Sequence, residues 1–155
     1  MAQPTRYFED FAVGDTYTLG GRSIDKDEII RFAGEFDRLP FHLDEDAAKN
    51  TIYGGLIASG LHTVCIAASI IVDELLQGSS MTGSAGMTDV RWLKPVRPGD
   101  EISVLLKVVE AEPLPRKPNI GRVRCALEVP NQRGEITMTA LVDYLFTSRK
   151  TLAPD

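Results

Sequence analysis

At 155 residues, with 43% hydrophobic and 25% charged side chains, the chain has the length and composition of one globular domain with a core of its own. Seventeen basic residues against twenty-two acidic ones give a net charge of −5 and a pI near 5.1, and no long basic run occurs. Nucleic acid and membrane are therefore not expected as partners.

The two cysteines, Cys65 and Cys125, stand in apolar runs outside any CxxC or Cys/His cluster. They read as free, buried thiols of a reducing compartment. With two histidines in the chain and no clustered ligands, no metal is expected. The start, MAQPTRYFEDF, has no apolar stretch of signal-peptide length, so a cytoplasmic location is inferred.

Residues 1–15 read as an irregular lead-in that Phe8, Phe11 and Val13 pin to the body. Thr16 to Ile24 is the first strand, weakened at Gly20-Gly21. Asp25 and Glu28 have the spacing of a capping box, and Ile29, Phe32, Ala33 and Phe36 recur at helical spacing as one buried stripe. That helix stops near Phe36, because Pro40 steers the residue before it out of the α region. Asp44 caps a short helix over 45–50, and Tyr53-Gly54-Gly55 is a loop.

The most apolar stretch, 58–76, reads as a long helix that must be wrapped on most sides. His62, Ser69, Asp73 and Glu74 make it a core helix rather than a membrane span, and His62, Ser69 and Asp73 mark its polar stripe. A flexible connection is expected over 77–86, then strands over 86–93, 101–111, 122–129 and 135–148. A proline-rich loop over 113–121, a turn over 131–134 and a loose tail over 149–155 complete the chain. Without α/β alternation, this order implies a single α+β domain over 1–155, an antiparallel sheet wrapped around a long central helix.

Chemistry concentrates between Phe36 and His62. Asp37 and His42 flank Pro40, and a helix begins about Ser59-Gly60. A carboxylate, an imidazole and a helix N-terminus are the parts of an acid–base site with an anion pocket. Each also has a plain structural reading: a surface carboxylate at a helix end, a half-buried loop histidine, a glycine needed for close packing. A carboxylate at a helix C-terminus opposes the macrodipole, which points to a further role for Asp37. His62 lies two residues past Gly60 on another helix face and reads as an interface or supporting residue.

The stretch Asp37-Arg38-Leu39-Pro40-Phe41-His42 resembles the D-x-N-P-x-H signature of the MaoC-like dehydratases, the (R)-specific enoyl-CoA hydratase group of the hot-dog fold. Leu43-Asp44, Ala47-Ala48 and Ile57-Ala58-Ser59-Gly60-Leu61 extend the resemblance, with eighteen positions from His42 to Gly60 and no gap. A third match is Val90-Arg91-Trp92-Leu93-Lys94-Pro95-Val96-Arg97-Pro98-Gly99-Asp100. The sequence departs from the pattern at Leu39, where the signature carries asparagine, and at Ala68, where some members carry a serine.

The resemblance implies a hydro-lyase in which Asp37 and His42 activate water and the Gly60 N–H holds the thioester oxygen. Leu39, Pro40, Phe41, Ile57, Ser59 and Leu61 would surround the acyl group. Arg91 and Lys94, with Arg97, Arg116 and Lys117, are candidates for the coenzyme A phosphates. Coenzyme A would enter as part of an acyl-CoA or enoyl-CoA substrate, and no cofactor is expected. A homodimer or dimer-based oligomer is implied. An acyl-CoA thioesterase using Asp37, or a non-catalytic acyl-thioester binder, are the rival readings.

Overall fold

The computed structural model of the chain describes residues 2–152. Strand β1 (Thr16–Ser23) leads into helix α1 (Lys26–Phe36), the single turn α2 (Pro40–Leu43), α3 (Glu45–Lys49) and the central α4 (Gly60–Ile71). Four strands follow: β2 (Met81–Trp92), β3 (Glu101–Leu114), β4 (Lys117–Pro130) and β5 (Ile136–Thr147). The five strands form one antiparallel sheet in the order β1-β3-β4-β5-β2.

The period-2 pattern explains the sheet's inner face. On β4, Val123, Cys125, Leu127 and Val129 are buried, and on β5 Met138, Ala140, Val142, Tyr144 and Phe146 are. They share one core with Ile66, Ala67, Ile70 and Ile71 of α4. Burial pushes the Cys125 thiol up to about 12, which leaves it inert. In the lead-in, Phe11 is buried with its ring 4.4 Å from that of Phe146, whereas Val13 is exposed.

The long helix departs from expectation in two ways. After Ile71 it widens into a π-helical turn, Val72–Leu76, closed by the Gln77 N–H donating to the Val72 carbonyl at 2.8 Å. This turn buries the consecutive Leu75 and Leu76. It also brings the Glu74 carboxylate to the Gly20 N–H at 2.9 and 3.0 Å, on the edge strand β1.

Second, the helix is not wrapped on every side. Leu61, Cys65, Ala68 and Val72, spaced four, three and four apart, are exposed, so Cys65 is not the buried thiol its apolar neighbours suggest. The expected polar stripe does not exist as a face either. His62 is buried, Ser69 is half-buried with its hydroxyl donating to the Ile66 carbonyl at 2.8 Å, and Asp73 is exposed.

Other segments are more regular than their composition suggests. The stretch 77–86 is not a loop throughout, because β2 begins at Met81. Its glycines take positive φ, 153° at Gly83 and 147° at Gly86, and the register against β5 shifts three times. The proline-rich segment is a two-residue hairpin, not a loop: β3 runs to Leu114 and β4 starts at Lys117. Beyond the Thr16↔Lys107 pair β1 no longer covers β3, and Pro113 needs no donor on that edge. The tail is anchored at Arg149, which donates to the Asp10 carboxylate at 2.6 Å; residues 153–155 lie outside the described residues.

Helix α1 starts as expected, with the Asp25 carboxylate accepting from the Glu28 N–H at 2.8 Å. The other half of the capping box is not made. Glu28 instead accepts from Arg22 at 2.7 Å and meets His62 Nε2 at 3.2 Å. Phe32 stacks flat on the His62 ring, 4.5 Å between centroids, while Phe36 is exposed rather than part of the buried stripe. Ile29 and Ala33 carry that stripe, and Phe36 is in the last turn, past the covered surface.

His62 thus joins α1 to α4 as a buried imidazole whose Nδ1 has no partner among the described residues. Burial holds its pKa below the ordinary 6.5, against the opposing pull of Glu28. The folded chain then binds fewer protons at this ring than the unfolded chain, so stability is lost as pH falls below about 6.5. Urea midpoints are expected to drop between about pH 7 and pH 5 in the native chain, and less steeply in His62→Gln. An equal slope in both would show that this ring is not the source.

Candidate active site

The site begins where α1 ends. Asp37 is the C-cap of α1, its N–H donating to the Ala33 carbonyl at 2.9 Å. Leu39 takes an extended conformation, as a residue before proline must, and Pro40 opens α2 at a position where its missing N–H costs nothing. This single turn, not anticipated from the sequence, carries His42 inward, where it is 4% exposed.

His42 is held from behind. Its Nδ1 lies 2.8 Å from the carbonyl of Ile57. A carbonyl only accepts, so Nδ1 carries the proton and Nε2 presents its lone pair. That Nε2 is 3.4 Å from Asp37 Oδ2. The Ile57 N–H in turn donates to the Phe41 carbonyl at 3.2 Å, and the Ala58 N–H to the Val96 carbonyl at 2.8 Å. The segment before α4 is thereby fixed between α2 and the 93–96 stretch that follows β2.

Ser59 ties the acid to the helix. Its hydroxyl donates to Asp37 Oδ2 at 2.7 Å and accepts from the Leu61 N–H at 3.2 Å as the N-cap of α4. A hydrogen bond to a charged group is typically worth about 1.5–3 kcal/mol. The carboxylate that sits at the unfavourable end of α1 therefore lies beside the favourable end of α4, which offsets its placement. As the first helical residue, Gly60 has an N–H without an intrahelical acceptor.

These groups border a cavity of about 350 Å³. Of the residues singled out in the sequence, Asp37, Phe41, His42, Ile57, Gly60, Leu61 and Lys94 line it. Leu39, Pro40, Ser59 and Arg91 are not part of the lining; Leu39 is 47% exposed and Ser59 works from a fully buried position. Arg91 pairs with Asp89 at 2.9 Å. Lys94 pairs with Glu135, and this ammonium, with Arg133 and Asn131, holds the Glu135 carboxyl down at about 2. Arg97 donates to the Tyr53 carbonyl at 2.6 Å, while Arg116 and Lys117 belong to the β3–β4 hairpin, away from the lining.

The lining also holds residues the sequence did not single out, among them Tyr53, Thr63, Trp92 and Val96. Trp92 was legible as the chain's one tryptophan inside a matched motif. Its indole donates to the Gly60 carbonyl at 2.9 Å and fills the space where a side chain at position 60 would begin. The packing reason for Gly60 is therefore directly visible.

Comparison with known proteins places the fold in one family. A family model described as "MaoC like domain" matches residues 10–125. A crystal structure of a MaoC-like dehydratase from Rhodospirillum rubrum superposes with a TM-score of 0.85 at 38% identity, covering 92% of this chain and 97% of that one. The unliganded R-hydratase PhaJ1 from Pseudomonas aeruginosa superposes with a TM-score of 0.75 at 28% identity, covering 95% and 89%. A 3-hydroxybutyryl-CoA dehydratase from Methylorubrum extorquens is 31% identical over 130 residues, 81% of this chain and 76% of that protein. An antiparallel sheet around one central helix, the match over most of the chain and these neighbours make this chain a member of the MaoC-like dehydratase family, with the hot-dog fold.

Proposed function

We propose that the chain is a hydro-lyase that reversibly adds water across the double bond of an enoyl-CoA thioester. The observation that carries this reading is the facing of Asp37 Oδ2 and His42 Nε2 at 3.4 Å, inside the cavity and beside the first residue of α4. Two acceptors at that separation suit one water, which donates a hydrogen to each. As its oxygen bonds to C3 of the enoyl group, one of its protons passes to His42 Nε2. The imidazolium is stabilised by the adjacent Asp37 carboxylate and returns that proton to C2. Negative charge on the thioester oxygen meets the Gly60 N–H at the positive end of α4. Dehydration is the reverse. Coenzyme A would travel as part of the substrate, with Lys94 of the cavity lining as a candidate for its phosphates.

A thioesterase needs water held against the carbonyl carbon, with no proton donor aimed at C2. The imidazole fixed beside Asp37 favours the hydratase reading. Replacing Asp37 by Asn, or His42 by Ala, is expected to lower kcat by about 100-fold or more, since general acid–base groups contribute on that scale. Loss of enoyl absorbance and release of free thiol, followed separately on crotonyl-CoA and butyryl-CoA, check the assignment. Thiol release without enoyl loss would support the thioesterase, and near-native turnover in either variant would remove that residue from the chemistry.

We further infer a homodimer made through β2 and the open face of α4. β2 is an edge strand, whereas the opposite edge, β1, has Glu74 set against Gly20. Leu61, Val72, Trp92 and Leu93 are between 45% and 56% exposed, and covering them requires a second surface of matching apolarity. Light scattering at micromolar concentration is expected to return twice the 17.0 kDa chain mass or a multiple of it, and a monomeric mass would overturn the inference.

A further inference from the structure

Trp92, the last residue of edge strand β2, lines the same cavity as Asp37 and His42. Three observations meet there. The indole N–H donates to the Gly60 carbonyl at 2.9 Å. A Cβ built on Gly60 would lie 2.5 Å from Cε2, 2.6 Å from Nε1 and 2.9 Å from Cδ2 of that ring, closer than real atoms pack. The register of β2 against β5 shifts between Thr88 and Arg91, where Asp89 holds φ at 51°, in the left-handed region. A bulge of this kind re-aims the side chains that follow it.

We propose that Trp92 is a positioning and specificity-determining residue, and that position 60 is glycine in order to seat its ring. The inference rests on the reading that α4 offers its first N–H groups to a thioester oxygen. Helix ends fray, and the first turn of α4 has its N-cap, Ser59, engaged with Asp37. The indole N–H donates to the Gly60 carbonyl and so braces the first residue of α4, whose own N–H belongs to the preceding Ser59–Gly60 peptide. The flat ring meanwhile limits the room beside that N–H, favouring short, planar acyl groups over long ones. Trp92 takes no proton and contacts no reacting oxygen in this scheme. Its effect on rate passes through Gly60.

This differs from the alternative in which glycine is needed only so that substrate can approach the backbone, and a double-mutant cycle separates the two. The proteins are the native chain, Gly60→Ala, Trp92→Ala, Trp92→Phe and the Gly60→Ala/Trp92→Ala double variant. Activity is read with crotonyl-CoA and oct-2-enoyl-CoA. Because Trp92 is the one tryptophan in the chain, its emission is read as well, alone and with butyryl-CoA, a saturated thioester with no double bond to hydrate.

Gly60→Ala is expected to shift the emission, as the ring is displaced from its seat, and to cut kcat/KM by about tenfold or more in the native background but by less than about threefold in Trp92→Ala. Trp92→Phe keeps the ring without the N–H and is expected to lower kcat more than it raises KM. Trp92→Ala is expected to raise the ratio of oct-2-enoyl-CoA to crotonyl-CoA turnover, and butyryl-CoA to change native emission. An equal penalty for Gly60→Ala in both backgrounds, or unchanged acyl preference in Trp92→Ala, would overturn the proposal. If no protein hydrates either enoyl-CoA, the hydratase reading fails by itself. The seating of the ring is then judged by emission alone, and an unshifted Gly60→Ala spectrum would refute it.

Discussion

A helix as apolar as α4 cannot be left in water, and the need to cover it organises the rest of the molecule. Burying an isoleucine is worth about 1.5–3 kcal/mol, and Ile66, Ile70 and Ile71 all lie on the covered side. A flat sheet would touch one line of the helix only. The twisted five-stranded sheet covers a broader arc, with α4 against β1 and β3 and with α1 beside it. What the sheet does not reach is the exposed stripe through Leu61, Cys65, Ala68 and Val72. One helix thus dictates both the core and the open face.

The same helix supplies the site. Its N-terminus follows α3 and borders the cavity, so the unsatisfied N–H of Gly60 lies at the site and not in the core. Ser59 converts that geometry into a connection, one hydroxyl serving the cap and the Asp37 carboxylate together. Asp37 itself is delivered by α1, which is joined to α4 by the His62–Phe32 stack and the His62–Glu28 contact. The carboxylate, the imidazole and the helix end are therefore not three independent placements. Movement of α1 along α4 would shift Asp37 against His42, which is fixed separately to the Ile57 carbonyl. The precision of the pair rests on helix packing one to three turns back along α1.

Much of this was legible in the residues. All-round apolarity over 58–76, period-2 alternation in β4 and β5, and the capping signals at Asp25 and Asp44 are local properties, and each survives in the structure. Asp37 and His42 were legible as a pair through spacing around Pro40 and the resemblance to the dehydratase signature. The glycine-rich start of β2 and the proline-rich β3–β4 hairpin were misread as loops for one reason. Composition reports what a segment does in isolation, while a strand partner overrides it.

By itself the sequence determined the fold class and the central helix, because these follow from periodicity, and it marked Asp37 and His42 as candidates through their spacing around Pro40 and the resemblance to the dehydratase signature. Only the tertiary structure decided which neighbours those residues have. Glu28 leaves its capping role for Arg22 and His62, since both stand across from α1 in space and not in sequence. Leu39 lies outside the cavity lining although it is within three residues of both site groups, because the turn at Pro40 carries His42 inward. Trp92 reaches Gly60 from thirty-two residues away, and no local pattern could disclose that a missing Cβ and an indole share one space. Contacts of this range depend on how the chain returns upon itself, which is settled by packing the whole core at once.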